Sequence, residues 1–179
     1  METTHREATV VFPLRETTKG IKMLMGEKTC TIGIDCLIGP GGMVEPGESP
    51  RHTASCEMEE ECGLRVAPEE PRYAGVMTFH IHKMKGAVEE VKVIRVHFFL
   101  APEWCGEVKE KESGFINLAW YPLGELPLAK MMAADPYFVP QILAGKQVVG
   151  EAYYLNDQRT FCPGREVTVY EVTTKIDVF

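Results

Sequence analysis

"GGMVEPGESPRHTASCEMEEECGL", residues 41–64, puts four glutamates into the six positions from Glu57 to Cys62, with no lysine or arginine between Glu57 and Glu61. Ser49-Pro50 supplies a helix N-cap followed by proline at the first helical position, and Gly63 stops the helix. Ala54, Met58 and Cys62 recur every four residues and give this helix an apolar stripe for a core. At about 100° per residue, Glu57, Glu60 and Glu61 stand at i, i+3 and i+4 and share a face. Like charges so spaced cost each other roughly 0.2–0.5 kcal/mol per pair on an isolated helix. They also lie near the helix C-terminus, where the macrodipole disfavours anions. A merely solvated acidic face normally interleaves Lys or Arg four residues away, and this one does not. Three clustered carboxylates opposite the Gly-rich loop "GPGG" suit a hard cation, Mg²⁺ or Mn²⁺.

Outward from the helix, the chain alternates short apolar runs with turn formers. "ATVVFPL" and "IKMLMG", separated by "RETTKG", predict a hairpin. "YAGVMTFHIHKM" and "VKVIRVHFFLA" predict two strands joined through "KGAVEE", and "FINLAWYPL" a further strand. A second helix is predicted from near Pro136 through "YFVPQILAGK", and "VVGEAYYL" with "REVTVYEVT" closes the chain as a hairpin. Neither an internal repeat nor a linker interrupts this order.

The length of 179 residues suits one domain, and 45% hydrophobic with 25% charged residues is globular composition. A net charge of −7 argues against binding a nucleic-acid backbone, which needs a basic face. It leaves open a small anionic ligand, because a bound divalent cation reverses the local field. No apolar run reaches membrane-spanning length, and "METTHREATVV" lacks a signal peptide's basic start and apolar middle. The six cysteines form no CxxC pair, so the expectation is reduced thiols and a cytoplasmic protein without membrane attachment.

Gly42, Glu48 and "CEMEEECGL" resemble the box of the Nudix pyrophosphohydrolases, with Glu57, Met58, Glu60, Glu61, Gly63 and Leu64 all on matching positions. One position departs: the family has arginine immediately before the first helix glutamate, and here it is Cys56. Arg51 lies five residues earlier, about 140° around the helix, and is a poor geometric substitute. The resemblance implies an α+β fold, an α/β/α sandwich with a central mixed β-sheet flanked by helices. It implies a single domain over residues 1–179, with the box at 42–64.

The same chain is similar, beyond the box, to the MutT-homologue branch that hydrolyses oxidised purine nucleoside triphosphates. That similarity implies nucleotide contacts at Thr9 and Lys28, and a metal contact from the Gly41 carbonyl. It puts the branch's base-reading asparagine on Ile38 and its stacking tryptophan on Met132. Its aspartate pair falls on Ala134 and Asp135, so one of the two survives. A fourth metal glutamate falls on Phe115, with Glu110 and Glu112 nearby.

What the resemblance implies for chemistry is a pyrophosphate bond cleaved with Mg²⁺ or Mn²⁺ held by Glu57, Glu60 and Glu61. Glu60 or Glu61 would accept the proton, and Glu48 would organise the loop–helix junction. The leading expectation is cleavage of a nucleoside triphosphate, such as 8-oxo-dGTP, to the monophosphate and pyrophosphate. Two alternatives stay open: a nucleotide sugar or dinucleotide as substrate, or a weakly catalytic nucleotide-binding regulator. The expected partner is a small nucleotide, with the chain acting as monomer or homodimer. His80 and His82 share a strand face but lack a third ligand, so they read as surface histidines. Trp104 and Trp120 are candidates to stack on a base, but Trp120, within "LAWYPL", reads as a core residue.

Overall fold

The computed structural model describes residues 2–29, 32–110 and 114–174. A mixed sheet carries the chain. Its strands are β1 (Glu2–Thr17), β2 (Gly20–Lys28), β3 (Leu37–Ile38), β5 (Arg72–Lys85), β6 (Val88–Ala101), β8 (Phe115–Pro122), β9 (Val148–Leu155) and β10 (Thr168–Glu171). The order is β10-β9-β5-β6-β1-β2-β3, and β8 also pairs with β2. β1 runs parallel to β6 and β5 parallel to β9, while the other pairings are antiparallel. A separate two-stranded ladder joins β4 (Leu64–Arg65) to β7 (Cys105–Gly106).

Helix α1 (Pro50–Cys62) has the predicted boundaries. Ser49 Oγ accepts from the His52 N–H at 3.3 Å, and Gly63 ends the helix at φ +77°, where glycine costs least. Helix α2 (Asp135–Leu143) begins where predicted, but it stops at Leu143 rather than running through Lys146. Gly145, at φ +83°, takes the chain out of the helical region there.

The first hairpin differs from expectation in its partners. Only Leu14–Thr17 pairs with Gly20–Met23, whereas residues 2–13 pair in parallel with β6. Val10, Val11 and Phe12 are all buried, so this stretch is a central strand covered on both faces. Alternation then sorts the core. Val11, Leu24 and Phe99 pack with Ala54, Met58 and Cys62 of α1. Val10, Phe98 and Phe79 pack with Phe138, Val139 and Ile142 of α2. The two helices therefore cover opposite faces of the sheet, as the sandwich expectation required. Among the described residues no helix is long and apolar enough to cross a membrane.

Candidate active site

The loop before α1 lies along β1 as an extra, irregular strand. Pro40 O accepts from the Val11 N–H and Gly42 O from the Thr9 N–H, both at 2.8 Å, and Val44 N–H donates to Glu7 O at 3.0 Å. In extended chain, alternate residues turn their amide groups to opposite sides. Gly41, between the two bonded residues, thus turns away from β1, and its N–H donates to Glu61 Oε2 at 2.7 Å. Its carbonyl leaves on that same side. A Cβ at Gly41 would stand 2.1 Å from the Thr9 carbonyl oxygen, so only glycine fits so close to β1.

Seating the apolar stripe of α1 on the sheet distributes the glutamates unequally. Glu61 is buried, with Oε1 accepting from Lys28 Nζ at 3.0 Å and Oε2 held by Gly41. Burial pushes its carboxyl up to about 7, outweighing the opposing pull of Lys28 and of the two hydrogen bonds. Glu57 is half-buried, and its carboxylate lies directly over Gly42. Desolvation first, and then the nearby Glu60, raise its pKa. Glu60 is exposed. The three carboxylates expected on one face are thus a buried, a half-buried and an exposed one.

Glu48 Oε2 accepts from the buried Thr53 Oγ1 at 3.0 Å, which ties the loop to the first turn of α1 as expected. Arg51 donates to the carbonyls of Glu69 and Pro71, at 3.1 and 2.7 Å, and its guanidinium lies 5.9 Å from the Phe99 ring. These bonds draw Arg51 towards the segment that follows α1. Burial, then Glu60, Glu48, Glu57 and Glu59, all push the Cys56 thiol up.

Phe115 is buried beneath Lys28, whose ammonium sits 4.2 Å from the ring centroid. An aromatic side chain thus occupies the position where a fourth carboxylate was sought. Glu110 Oε1 instead accepts from the Leu118 N–H at 3.0 Å, on the edge of β8. Glu112 falls outside the described residues. Among the described residues, no three His, Cys, Asp or Glu side chains converge as a ready cation cage. The donor chemistry nonetheless fits a hard divalent ion. Glu57, Glu60 and Glu61 offer only oxygen, and burial and mutual repulsion raise two of them in the way that an adjacent cation would reverse.

Next to this cluster opens a cavity of about 240 Å³ whose lining includes Thr9, Lys28, Ile38, Met132 and Asp135, the five expected substrate residues. By strand alternation Thr9 shares the α1 face with Val11, opposite Ala8 and Val10, at the edge of the cavity. Asp135 is buried at the start of α2. Its Oδ2 accepts from the Met132 N–H at 3.2 Å, and burial pushes its carboxyl up to about 7. The floor is apolar: Phe79 and Ile81 of β5, with Ile94, Val96 and Phe98 of β6.

Two polar cavity residues went unread in the sequence, Lys92 and Tyr154. The signal available was strand alternation, since Lys92 shares parity with Ile94, Val96 and Phe98. Trp104 and Trp120 stack on each other at 5.5 Å beside the α1-side core, so Trp120 packs as expected and Trp104 packs with it rather than lining the cavity. His80 and His82 each meet a carboxylate, Glu151 at 3.3 Å and Glu89 at 2.7 Å.

The NUDIX domain family model matches residues 4–142. The chain is 29% identical over 139 residues to an oxidized purine nucleoside triphosphate hydrolase of Mus musculus, covering 78% of this chain and 82% of that one. Its counterpart in Danio rerio is 28% identical over 129 residues, 72% of this chain and 76% of the relative. Among solved structures, a MutT protein of Bacillus halodurans superposes with a TM-score of 0.66 at 21% identity, covering 95% of this chain and 99% of that one.

Proposed function

The chain belongs to the NUDIX family of pyrophosphate-bond hydrolases, and on that premise we propose that it cleaves a nucleoside triphosphate to the monophosphate and pyrophosphate, an oxidised purine nucleotide being the leading substrate. One observation carries this reading. The cavity runs from the Lys28–Glu61–Gly41 cluster over an apolar floor to Asp135, so that charged chemistry and an apolar surface share one space. The names of the mouse and zebrafish relatives support the same substrate class.

Phosphates belong at the cluster end. Lys28 offers an ammonium held in place by Glu61 and Phe115, and the glycines let main chain approach a phosphoryl oxygen closely. Glu57, Glu60 and Glu61 would hold Mg²⁺ or Mn²⁺, which when bound neutralises phosphate charge and acidifies water. Glu60 or Glu61 would accept the proton of the attacking water. The apolar floor excludes water from the rest of the substrate and favours a ring system over a hydrated sugar.

The test is a panel of nucleoside triphosphates, nucleotide sugars and dinucleoside polyphosphates incubated with Mg²⁺, with pyrophosphate and phosphate release measured separately. Monophosphate and pyrophosphate released in equal amounts from a purine triphosphate is the expected result. Preferential cleavage of a nucleotide sugar or a dinucleotide would overturn the substrate class.

A further inference from the structure

We infer that Lys92 selects the base, its ammonium hydrogen-bonding a purine that presents an oxo group where adenine presents an amino group. This rests on the nucleotide reading above. Lys92 pairs in register with Ile81 of β5, and Ile81 with Tyr154 of β9, so three cavity-lining residues stand in one row across the sheet. Along β6, the cavity face runs from Phe98, in register with Val10, to Lys92 at the opposite end. Thr9, beside the Gly41 loop, is in register with His97, five residues from Lys92, which is roughly 16 Å of strand. With the phosphates at the loop, the remainder of the nucleotide extends towards Lys92.

Lys92 is half-buried against apolar neighbours, and no ion pair or hydrogen bond joins it to another described residue. An ammonium so placed gains from an acceptor brought by a ligand and gains nothing from another donor. The other polar groups around the cavity lean the same way. Tyr154 Oη already accepts from the Ala134 N–H at 2.8 Å, which leaves its own hydrogen to donate. Asp135 Oδ2 is occupied by Met132, and the carboxyl donates in its protonated form. The Ile38 side chain contributes neither donor nor acceptor. A 6-amino group would turn N–H hydrogens towards an ammonium, whereas a 6-oxo group accepts from it.

The experiment uses inosine and adenosine nucleotides, which differ at that edge of the base. Calorimetry would measure IMP and AMP binding to the wild type, Lys92→Met and Lys92→Arg, with thermal unfolding to confirm that each variant is folded. Hydrolysis of the two triphosphates would be measured in parallel. The wild type is expected to favour the 6-oxo nucleotide by about ten- to hundredfold. Lys92→Met should reduce that ratio to near one by weakening IMP alone, and Lys92→Arg should retain most of it. A ratio unchanged in Lys92→Met, or a wild type with no preference, overturns the inference while leaving the hydrolase reading intact. Preferential IMP binding without hydrolysis of either triphosphate leaves the inference standing and defeats the catalytic reading. A wild type that neither binds nor cleaves either base defeats both.

Discussion

Lys28 and Glu61, 33 residues apart in sequence, meet at 3.0 Å, with Glu61 buried and Lys28 partly so at the cavity wall. The contact joins the end of β2 to the last turn of α1, and it makes Glu61 both a structural and a chemical group. Removing one member of a buried pair leaves the other uncompensated. Glu61→Gln leaves the Lys28 ammonium unpaired but also relieves the desolvation that pushes the Glu61 carboxyl up to about 7, so it is expected to cost about 1 kcal/mol of stability while abolishing most activity. Glu60→Gln, at an exposed position, should change stability by less than about 0.5 kcal/mol while reducing turnover about a hundredfold or more. Turnover against Mg²⁺ concentration and thermal unfolding separate the two. Near-normal turnover of either variant at saturating Mg²⁺ would contradict the site assignment.

Adjacent glycines give a contrast of a different kind. A Cβ on Gly41 meets the Thr9 carbonyl at 2.1 Å, and main chain in a central strand cannot yield. A Cβ on Gly42 meets Glu57 Oε1 at 1.9 Å, the far end of a flexible side chain. Gly41→Ala should cost about 2–3 kcal/mol or more, whereas Gly42→Ala should cost under about 1 kcal/mol. The second variant should nonetheless hydrolyse poorly, because the Glu57 carboxylate is displaced. Chemical denaturation combined with rate measurements tests the pair. Equal stability of the two alanine variants would speak against the close seating of the loop on β1.

Asp135 links stability to pH. Burial holds its carboxyl at about 7 against an ordinary 3.8, so between those values the native state keeps a proton that the unfolded chain releases. Its contribution therefore falls as pH rises from about 4 to about 7, and stays low above that. Asp135→Asn removes this titration. The melting temperature of the variant relative to the wild type should become more favourable between pH 5 and pH 8. Glu57 and Glu61 titrate alike in both proteins and cancel from the comparison. A difference that stays constant with pH would show that Asp135 does not titrate there.

At Cys56 the surrounding field is uniformly acidic, from Glu48, Glu57, Glu59 and Glu60. An arginine there would find carboxylates in reach, and a charge-assisted hydrogen bond contributes roughly 1.5–3 kcal/mol when well placed. Cys56→Arg should lower the Mg²⁺ concentration for half-maximal rate several-fold without loss of stability. A less stable variant with an unchanged metal requirement would defeat this expectation. The same field makes the thiolate unfavourable, so Cys56 in the unmodified protein should react slowly with alkylating agents at neutral pH.

Local grammar was enough to locate helix α1 residue by residue. Ser49, Pro50, Gly63 and the stripe Ala54–Met58–Cys62 act through bonds and spacings that lie within a single turn or two, and so did the i, i+3, i+4 grouping of glutamates. The resemblance of that segment to the Nudix box then pointed to the mixed sheet and to the positions Thr9, Lys28, Ile38, Met132 and Asp135, which the fold gathers round one cavity. Sequence spacing could not reveal that residues 2–13 leave the expected hairpin for a parallel pairing with β6. That choice is made by burial on both faces of a strand whose partner lies some ninety positions away. Nor could it rank the glutamates, because periodicity gives a direction around the helix and not the depth to which each direction is buried. Only the docking of α1 against β1 and β2 turned Glu61 towards Lys28 and Gly41 and left Glu60 in solvent. Lys92 and Tyr154 belong to the same class of tertiary fact: they are two strands apart in the sheet and 62 apart in the chain, and register alone puts them in one row.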